Sequence, residues 1–358
     1  RMYPVIKRHL NVQVADRGHY VTELCHDGAA AVAASTTAND VTVIDMCTGQ
    51  VLQKHSIETP IVGLGFANRV LHFMDKDLNV HQMDPRTEDR PTCRKIVLPK
   101  GQYDLTSSAF NENFIAFATS GPTGEDGEDA PKDDSSDEED DDSHHIVWMY
   151  DMTDLTNALA VSDAHSNTIT TMAFRDDLLL TGGSDGLFNV IDVHAQPQGI
   201  ADQVIATLSM ESPVDKVGML ELPDRDRSHL YATTDDLKWN LLKMNAPDDI
   251  DKLYSRRIVK ERFLVDIVSI PRYDYPLASV ECTPEGKVLV VGTSLDGTKS
   301  AIISECQSHV GLPRVAKMID GALFTGGEDG CISAFFVDLK EPEERPPKER
   351  TKIRVSPY

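Results

Sequence analysis

The sequence predicts an all-β protein folded as one seven-bladed β-propeller, and three observations predict it. First, short strand-like runs end in an aspartate at Val41–Asp45, Asn79–Asp84, Ile146–Asp151 and Phe188–Asp192. Second, those aspartates stand 39, 67 and 41 residues apart, and removing the 25-residue stretch Gly121–His145 reduces the middle interval to 42. A period near 40 with several short strands per unit marks a propeller, in which each unit is a small sheet that buries its faces only against its neighbours. Third, units that open on a histidine recur in phase with that period, at His19, His165 and His309.

The unit at His165 carries the pattern most fully. Ile169–Phe174 reads as a first strand and Leu178–Thr181 as a second, Gly182-Gly183-Ser184-Asp185-Gly186 makes a turn, and Leu187–Asp192 is a third strand. The unit at His309 repeats this through Val315–Met318, Ala322–Thr325, the turn Gly326–Gly330 and Cys331–Phe336, and Gly18-His19 opens another with Val21–Cys25 as its first strand. Seven units are counted, at 19–55, 56–99, 103–160, 165–208, 213–257, 263–306 and 309–338. The last has three visible strands, so Ile6–Ala15 is expected to supply its outer strand and close the ring, which removes the free sheet edges. Residues 1–339 are read as the single propeller, 121–145 as an insertion in the third blade, and 340–358 as a charged, Pro-rich tail.

In these features the chain resembles the WD-repeat family. The resemblance implies that His165, Thr181 and Asp185 in one blade, and His309, Thr325 and Asp329 in another, belong to hydrogen-bonded sets that pin the blades. The family's fourth member, a tryptophan, is replaced by Ile44, Met83, Tyr150 and Ile191 at the corresponding positions. Those blades are therefore expected to rely on apolar packing. The resemblance further implies a scaffold that binds proteins with its rims and channel mouth.

Composition narrows the function. The 358 residues carry 35 Lys+Arg against 58 Asp+Glu, a net charge of −23, and 40% are hydrophobic. A dominant nucleic-acid role is not expected, because phosphate neutralisation needs a cationic face. No apolar run approaches the ~20 residues of a membrane span, and no secretory signal is read in the chain. The location expected is cytoplasmic, nuclear or both. The cysteines, Cys25, Cys47, Cys93, Cys282, Cys306 and Cys331, contain no Cys-x-x-Cys pair, which argues for free thiols rather than zinc or thioredoxin-type chemistry.

The charge is unevenly placed. Glu125–Asp142 holds 12 acidic residues and one lysine, a net charge of −11, which leaves −12 for the rest. Gly121–His145 has almost nothing apolar to offset the entropy of ordering, so it is expected to be disordered between two strands. It reads as a solubilising tract or as a dock for a basic partner such as a histone or ribosomal protein. Ser135 and Ser136 each precede a glutamate by three residues, the acid-directed pattern of casein-kinase-two-type enzymes, and are candidate phosphorylation sites.

Other motifs are weighed against plain structural readings. His165 and Asp185 could be a base and its orienting carboxylate, but their recurrence at His309 and Asp329 argues for a structural pair. No phosphate-binding loop, G-x-S-x-G or H-E-x-x-H occurs, so neither catalysis nor a cofactor is expected. His144-His145 beside carboxylates on a flexible loop lacks the fixed geometry of a metal site, and no metal is expected. Met83-Asp84-Pro85-Arg86 partly matches the Trp-Asp-x-Arg pattern by which some WD-repeat proteins dock on cullin-four ubiquitin ligases; Asp84 and Arg86 are the matching residues, and an ordinary turn is the simpler reading. The function expected is a non-catalytic interaction scaffold, probed against two alternatives: a ubiquitin-ligase substrate receptor, and a carrier of a basic protein. A monomeric propeller inside a larger complex is the expected state.

Overall fold

A computed structural model describes residues 10–87, 89–98, 103–122, 143–194, 203–222, 226–270 and 274–337. Its strands form seven four-stranded antiparallel sheets, six of them simple meanders in chain order. The first strands of the sheets are Val21–His26, Ile61–Ala67, Asp104–Phe110, Ile169–Arg175, Val214–Leu220, Phe263–Ser269 and Pro313–Ile319. Each touches the first strand of the next sheet, all the way round, so these are the inner strands and they surround the central channel. The sheets are the blades of a seven-bladed propeller, numbered 1 to 7 from Val21.

The seventh sheet has the order that closes a ring. Leu10–Gln13 pairs antiparallel with Cys331–Phe336, Leu10 opposite Ala334 and Gln13 opposite Cys331. Gln13 also donates from its side chain to the Asp329 carbonyl at 2.8 Å, and Val14 N–H to the Gly330 carbonyl at 2.9 Å. The two ends of the propeller are thus held by backbone pairing that neither end can make alone.

Burial follows strand position. Second strands such as Ala31–Thr36, His229–Thr234 and Ala322–Gly327 are buried at every residue, because neighbouring blades cover both faces. Outer strands such as Val51–Ser56 and Asp249–Arg257 alternate between exposed and half-buried, since only their edges meet a neighbour. The apolar core is divided into wedges between blades. Phe117, Met149 and Leu179 belong to a cluster that runs from blade 2 through both faces of blade 3 to blade 4, and Trp239, Leu241 and Ile267 to the wedge joining blades 5 and 6.

Two boundaries differ from the sequence reading. Blade 3 runs through Ala160–His165 as its outer strand, so His165 closes that blade rather than following it. The expected insertion 121–145 is too wide: Gly121 and Pro122 end the second strand, Phe114–Pro122, while His144 and His145 lie in the third, Ser143–Asp151. Their pairing extends the hairpin, Gly121 opposite His144 and Ser120 opposite His145. His144-His145 is therefore strand, not loop, and the His145 side chain is buried. The acidic residues 123–142, including Ser135 and Ser136, and the tail 340–358 lie outside the described residues.

Candidate functional site

Inner strands begin at one face of the ring, here the entry face, and end at the other, the exit face. In a meander of this kind the connections between blades and the turns between second and third strands lie on the entry face. The acidic connection from Pro122 to Ser143 is such a turn and therefore departs from the entry face.

At that face the histidine-led residues meet. In blade 4 His165 Nδ1 lies 3.1 Å from both Asp185 carboxylate oxygens and Nε2 lies 2.8 Å from Thr181 Oγ1. A carboxylate only accepts, so Nδ1 carries the proton and Nε2 accepts from the threonine hydroxyl. Asp185 also accepts the N–H groups of Ser166 and Leu187, each at 3.0 Å. Blade 7 repeats this: His309 Nδ1 is 3.0 Å from Asp329, Nε2 is 2.8 Å from Thr325 Oγ1, and Asp329 takes the Val310 and Cys331 N–H groups. Both imidazoles are fully buried. Burial lowers the pKa of His165 against the pull of Asp185. Burial would raise Asp329, but the bonds from His309 and Val310 outweigh it and hold the carboxyl below its ordinary range.

A fourth member, not legible at the tryptophan position, completes each set. Asn189, four residues after Asp185, donates to the Ala164 carbonyl at 2.6 Å and lies 3.2 Å from His165 Nε2. Ser333, four residues after Asp329, donates to the Ser308 carbonyl at 3.0 Å. The expectation of an incomplete network is corrected in these two blades: the polar residue sits two positions earlier in the strand than Ile191. Each is a polar side chain set between apolar neighbours in its strand, the signal that could have found it.

The glycine pairs have a geometric reason. A Cβ on Gly183 or Gly327 would stand 2.5 or 2.4 Å from the histidine Nδ1, and one on Gly182 or Gly326 would strike Val214 or Val21 of the next blade at 2.4 or 2.3 Å. Thr-Gly-Gly therefore lets the histidine and the neighbouring blade close in from opposite sides.

Other blades fix the same region differently. His19 is exposed and joins no buried set; the blade 1 turn holds Asp40 with Lys54 at 2.8 Å and Ser56. In blade 2 Asp75 bonds His81 at 2.9 Å from the third strand. In blade 3 Trp148 donates to Thr119 at 2.9 Å. Asp236 of blade 5 meets Lys238 and Arg257, which with Thr234 push it down to about 2 despite partial burial. Blade 6 buries Glu281 against Arg262 at 3.0 Å.

Two hollows occupy the channel region. One of about 700 Å³ lies toward the exit face and draws His26, Phe174, Tyr231, Asp266 and Lys317 from five blades. Deeper in the ring, burial pushes Glu23 up to about 7, although Leu64 N–H donates to it at 2.9 Å and Lys317 and Lys216 draw it down. The second, about 410 Å³, opens at the entry face across blades 5, 6 and 7, with Asp215, Asp235, Leu237, Phe263, Leu312 and Arg314 on its walls.

Asp84 and Arg86 lie at the exit face, in the turn after the third strand of blade 2. Arg86 Nε and Nη2 clasp the two Asp84 oxygens at 2.8 and 2.7 Å, so the guanidinium closes its own turn. Among the described residues no group of three or more His, Cys, Asp or Glu side chains is arranged to hold a metal.

With this geometry in hand, the whole fold can be set beside known structures. A chain in the crystal structure of the mitotic checkpoint complex superposes with a TM-score of 0.64 at 13% identity, covering 94% of this chain and 93% of that one. That likeness establishes the fold. No family model and no curated protein matches the sequence. In all, 1653 chains of solved structures match, so the propeller is shared too widely to name an activity. The chain is a seven-bladed propeller of WD-like repeats.

Proposed function

We propose that the protein is a non-catalytic protein-interaction scaffold of the WD-repeat family, acting as one propeller within a larger assembly in the cytoplasm, the nucleus or both. One observation carries this reading: of the large apolar side chains exposed at the entry face among the described residues, all but Val97, between blades 2 and 3, gather in one sector. Leu237, Val259, Phe263, Val310 and Tyr20 follow one another from blade 5 round to the start of blade 1, Val310 at 88% exposure. Apolar groups gathered beside polar ones on a rim are a mark of partner contact rather than of solvation. The histidine–aspartate pairs support the same reading, because their imidazoles are sealed from substrate and used up in holding strands. A propeller of this shape also works inside the mitotic checkpoint complex. The order of features resembles that of WD repeat-containing protein eighty-nine, also a proposal.

In this reading the acidic turn of blade 3 offers a basic partner a cluster of negative charge, so a carrier role for a histone-like or ribosomal protein belongs to the same scaffold. Phosphorylation at Ser135 and Ser136 would deepen that charge. Proximity labelling with the full chain, repeated without residues 123–142, is the test. Loss of basic neighbours after the deletion supports docking by the acidic turn, and an unchanged set of neighbours removes it. The ubiquitin-ligase reading requires Arg86 to leave Asp84; adaptor co-purification that survives Arg86→Glu, or is never seen, ends it.

A further inference from the structure

The inner strands share a device at the entry face. Each has a β-bulge at its second or third residue, and in blades 3 and 4 the bulged side chain reaches the next blade. In blade 3 the bulge residue is Thr106, whose hydroxyl donates to the Ile169 carbonyl of blade 4 at 2.9 Å. In blade 4 it is Thr170, which donates in the same way to the Val214 carbonyl of blade 5. In blade 5 it is Asp215. A carboxylate cannot donate to the Leu264 carbonyl that occupies the corresponding place in blade 6, so blade 5 makes no hydroxyl latch, as blades 2, 6 and 7 make none with Val62, Val265 and Arg314 at their bulges.

What sets the seam between blades 5 and 6 apart is its spacing. The inner strands of blades 5 and 6 touch least of any neighbours in the ring. Lys216 reaches over instead to the carbonyls of Val265, at 2.5 Å, and Arg314, at 3.2 Å, and Tyr231 crosses below to Asp266 at 2.8 Å. The 410 Å³ groove lies above these bridges. Its apolar walls are Leu237, Phe263, Leu264, Leu312 and Pro313, with Phe263 41% exposed. Its cations are engaged: Lys216 stands 3.7 Å from Asp266, and Arg314 pairs with Glu328. Asp215 and Asp235 are exposed and have no ion pair among the described residues. The groove thus presents two free carboxylates beside an apolar trough.

We propose that this groove binds a linear peptide segment in which a lysine or arginine lies within a few residues of a leucine or phenylalanine, the cation held by Asp215 and Asp235 and the apolar side chain against Phe263 and Leu237. The inference deepens the scaffold reading and rests on it, with a basic partner placed on blades 5 to 7 rather than at the acidic turn. A short segment suits the width, since one apolar anchor and one charge-assisted pair are the usual centre of such a contact.

The experiment is an array of twelve-residue peptides combining Lys or Arg with Leu or Phe, with controls in which every Lys and Arg is Glu, probed with the purified full chain, Asp215→Thr, Asp235→Asn and a chain lacking 123–142. Asp215→Thr restores the latch seen in blades 3 and 4, so it raises the melting temperature while lowering retention of the basic peptides roughly ten-fold. Loss of binding in a more stable variant cannot be ascribed to misfolding. Asp235→Asn weakens retention in the same direction, and the 123–142 deletion leaves it unchanged. Retention indifferent to Asp215→Thr overturns the groove. If only the deletion abolishes retention, the groove falls and the acidic-turn reading stands; if no form prefers basic over acidic peptides, both fall.

Discussion

Asn189 and Ser333 answer the question left by the missing tryptophans. Between apolar neighbours in its strand, each places one hydrogen-bonding group against the carbonyl that precedes the blade's histidine. Removing it orphans that carbonyl and loosens the histidine. Asn189→Leu is expected to cost about 1–3 kcal/mol, the usual price of an unsatisfied buried polar group, whereas Ile191→Val, two residues on, should cost about 1 kcal/mol. Chemical denaturation of the two variants checks this, and equal losses would show that Asn189 is only filling space. Titrating residues add opposing pH dependences. Burial, with Arg94 nearby, lowers His72 to about 4, and its Nδ1 has no partner among the described residues. The unfolded chain binds that proton below about 6.5 and the folded one does not, so stability falls as pH drops from about 6.5 to 4, by up to ~3 kcal/mol. His72→Phe should flatten that limb. Glu23 acts in the other direction: raised to about 7, it holds a proton in the folded state that the unfolded state releases above about 4.5, so stability falls as pH rises from about 4.5 to 7. Glu23→Gln should raise the melting point at pH 8 and leave it unchanged at pH 4. Because the channel admits water, the gain should be nearer 1 than 3 kcal/mol. Melting curves of both variants at pH 4, 5, 6.5 and 8 decide the signs.

Elements meet across blades at positions where no side chain is tolerated. Gly182 faces Val214 so closely that a methyl group would overlap it, and Thr171 crowds the same point at 2.9 Å. Gly182→Ala is expected to destabilise by about 1–3 kcal/mol through overpacking, and Val214→Ala in the same chain should recover part of that loss. Strictly additive losses in the double-mutant cycle would place the strain elsewhere. The strands themselves were legible because their aspartates keep a period near 40 and their middle strands are continuous apolar runs. Boundaries were less so. His144-His145 reads as loop by composition, and only its pairing with Ser120 and Gly121 makes it strand. His19 has the sequence position of His165 but stays exposed, since blade 1 has Lys54 and Ser56 to hold its turn carboxylate. A motif places a residue in a blade; whether its ring enters a network depends on the carboxylate that the adjoining turn presents.

At the scale of the molecule, ring closure and charge are the two properties that no single blade shows. Closure was readable from the three-stranded last unit. The entry-face groove was not, because Asp215, Phe263 and Leu312 are far apart in the chain and meet only at the seam where two inner strands stand apart. Charge is separable from the fold in a way that can be measured. Residues 123–142 carry −11 of the total −23, yet they join strands already closed as a hairpin up to Pro122 and Ser143. Replacing them by a four-residue turn shortens the closing loop about five-fold. At ~0.6 kcal/mol per doubling this favours folding by about 1 kcal/mol, and removing like charges adds in the same direction at low salt. The shortened chain should therefore melt a few degrees higher than the full one in 20 mM salt, with the difference shrinking in 0.5 M salt as screening removes the charge contribution and leaves the loop term. A lower melting point at both salt concentrations would mean that the segment packs on the propeller and contributes to its stability, and the acidic turn would then have to be treated as part of the folded body rather than as an appendage free to meet a partner.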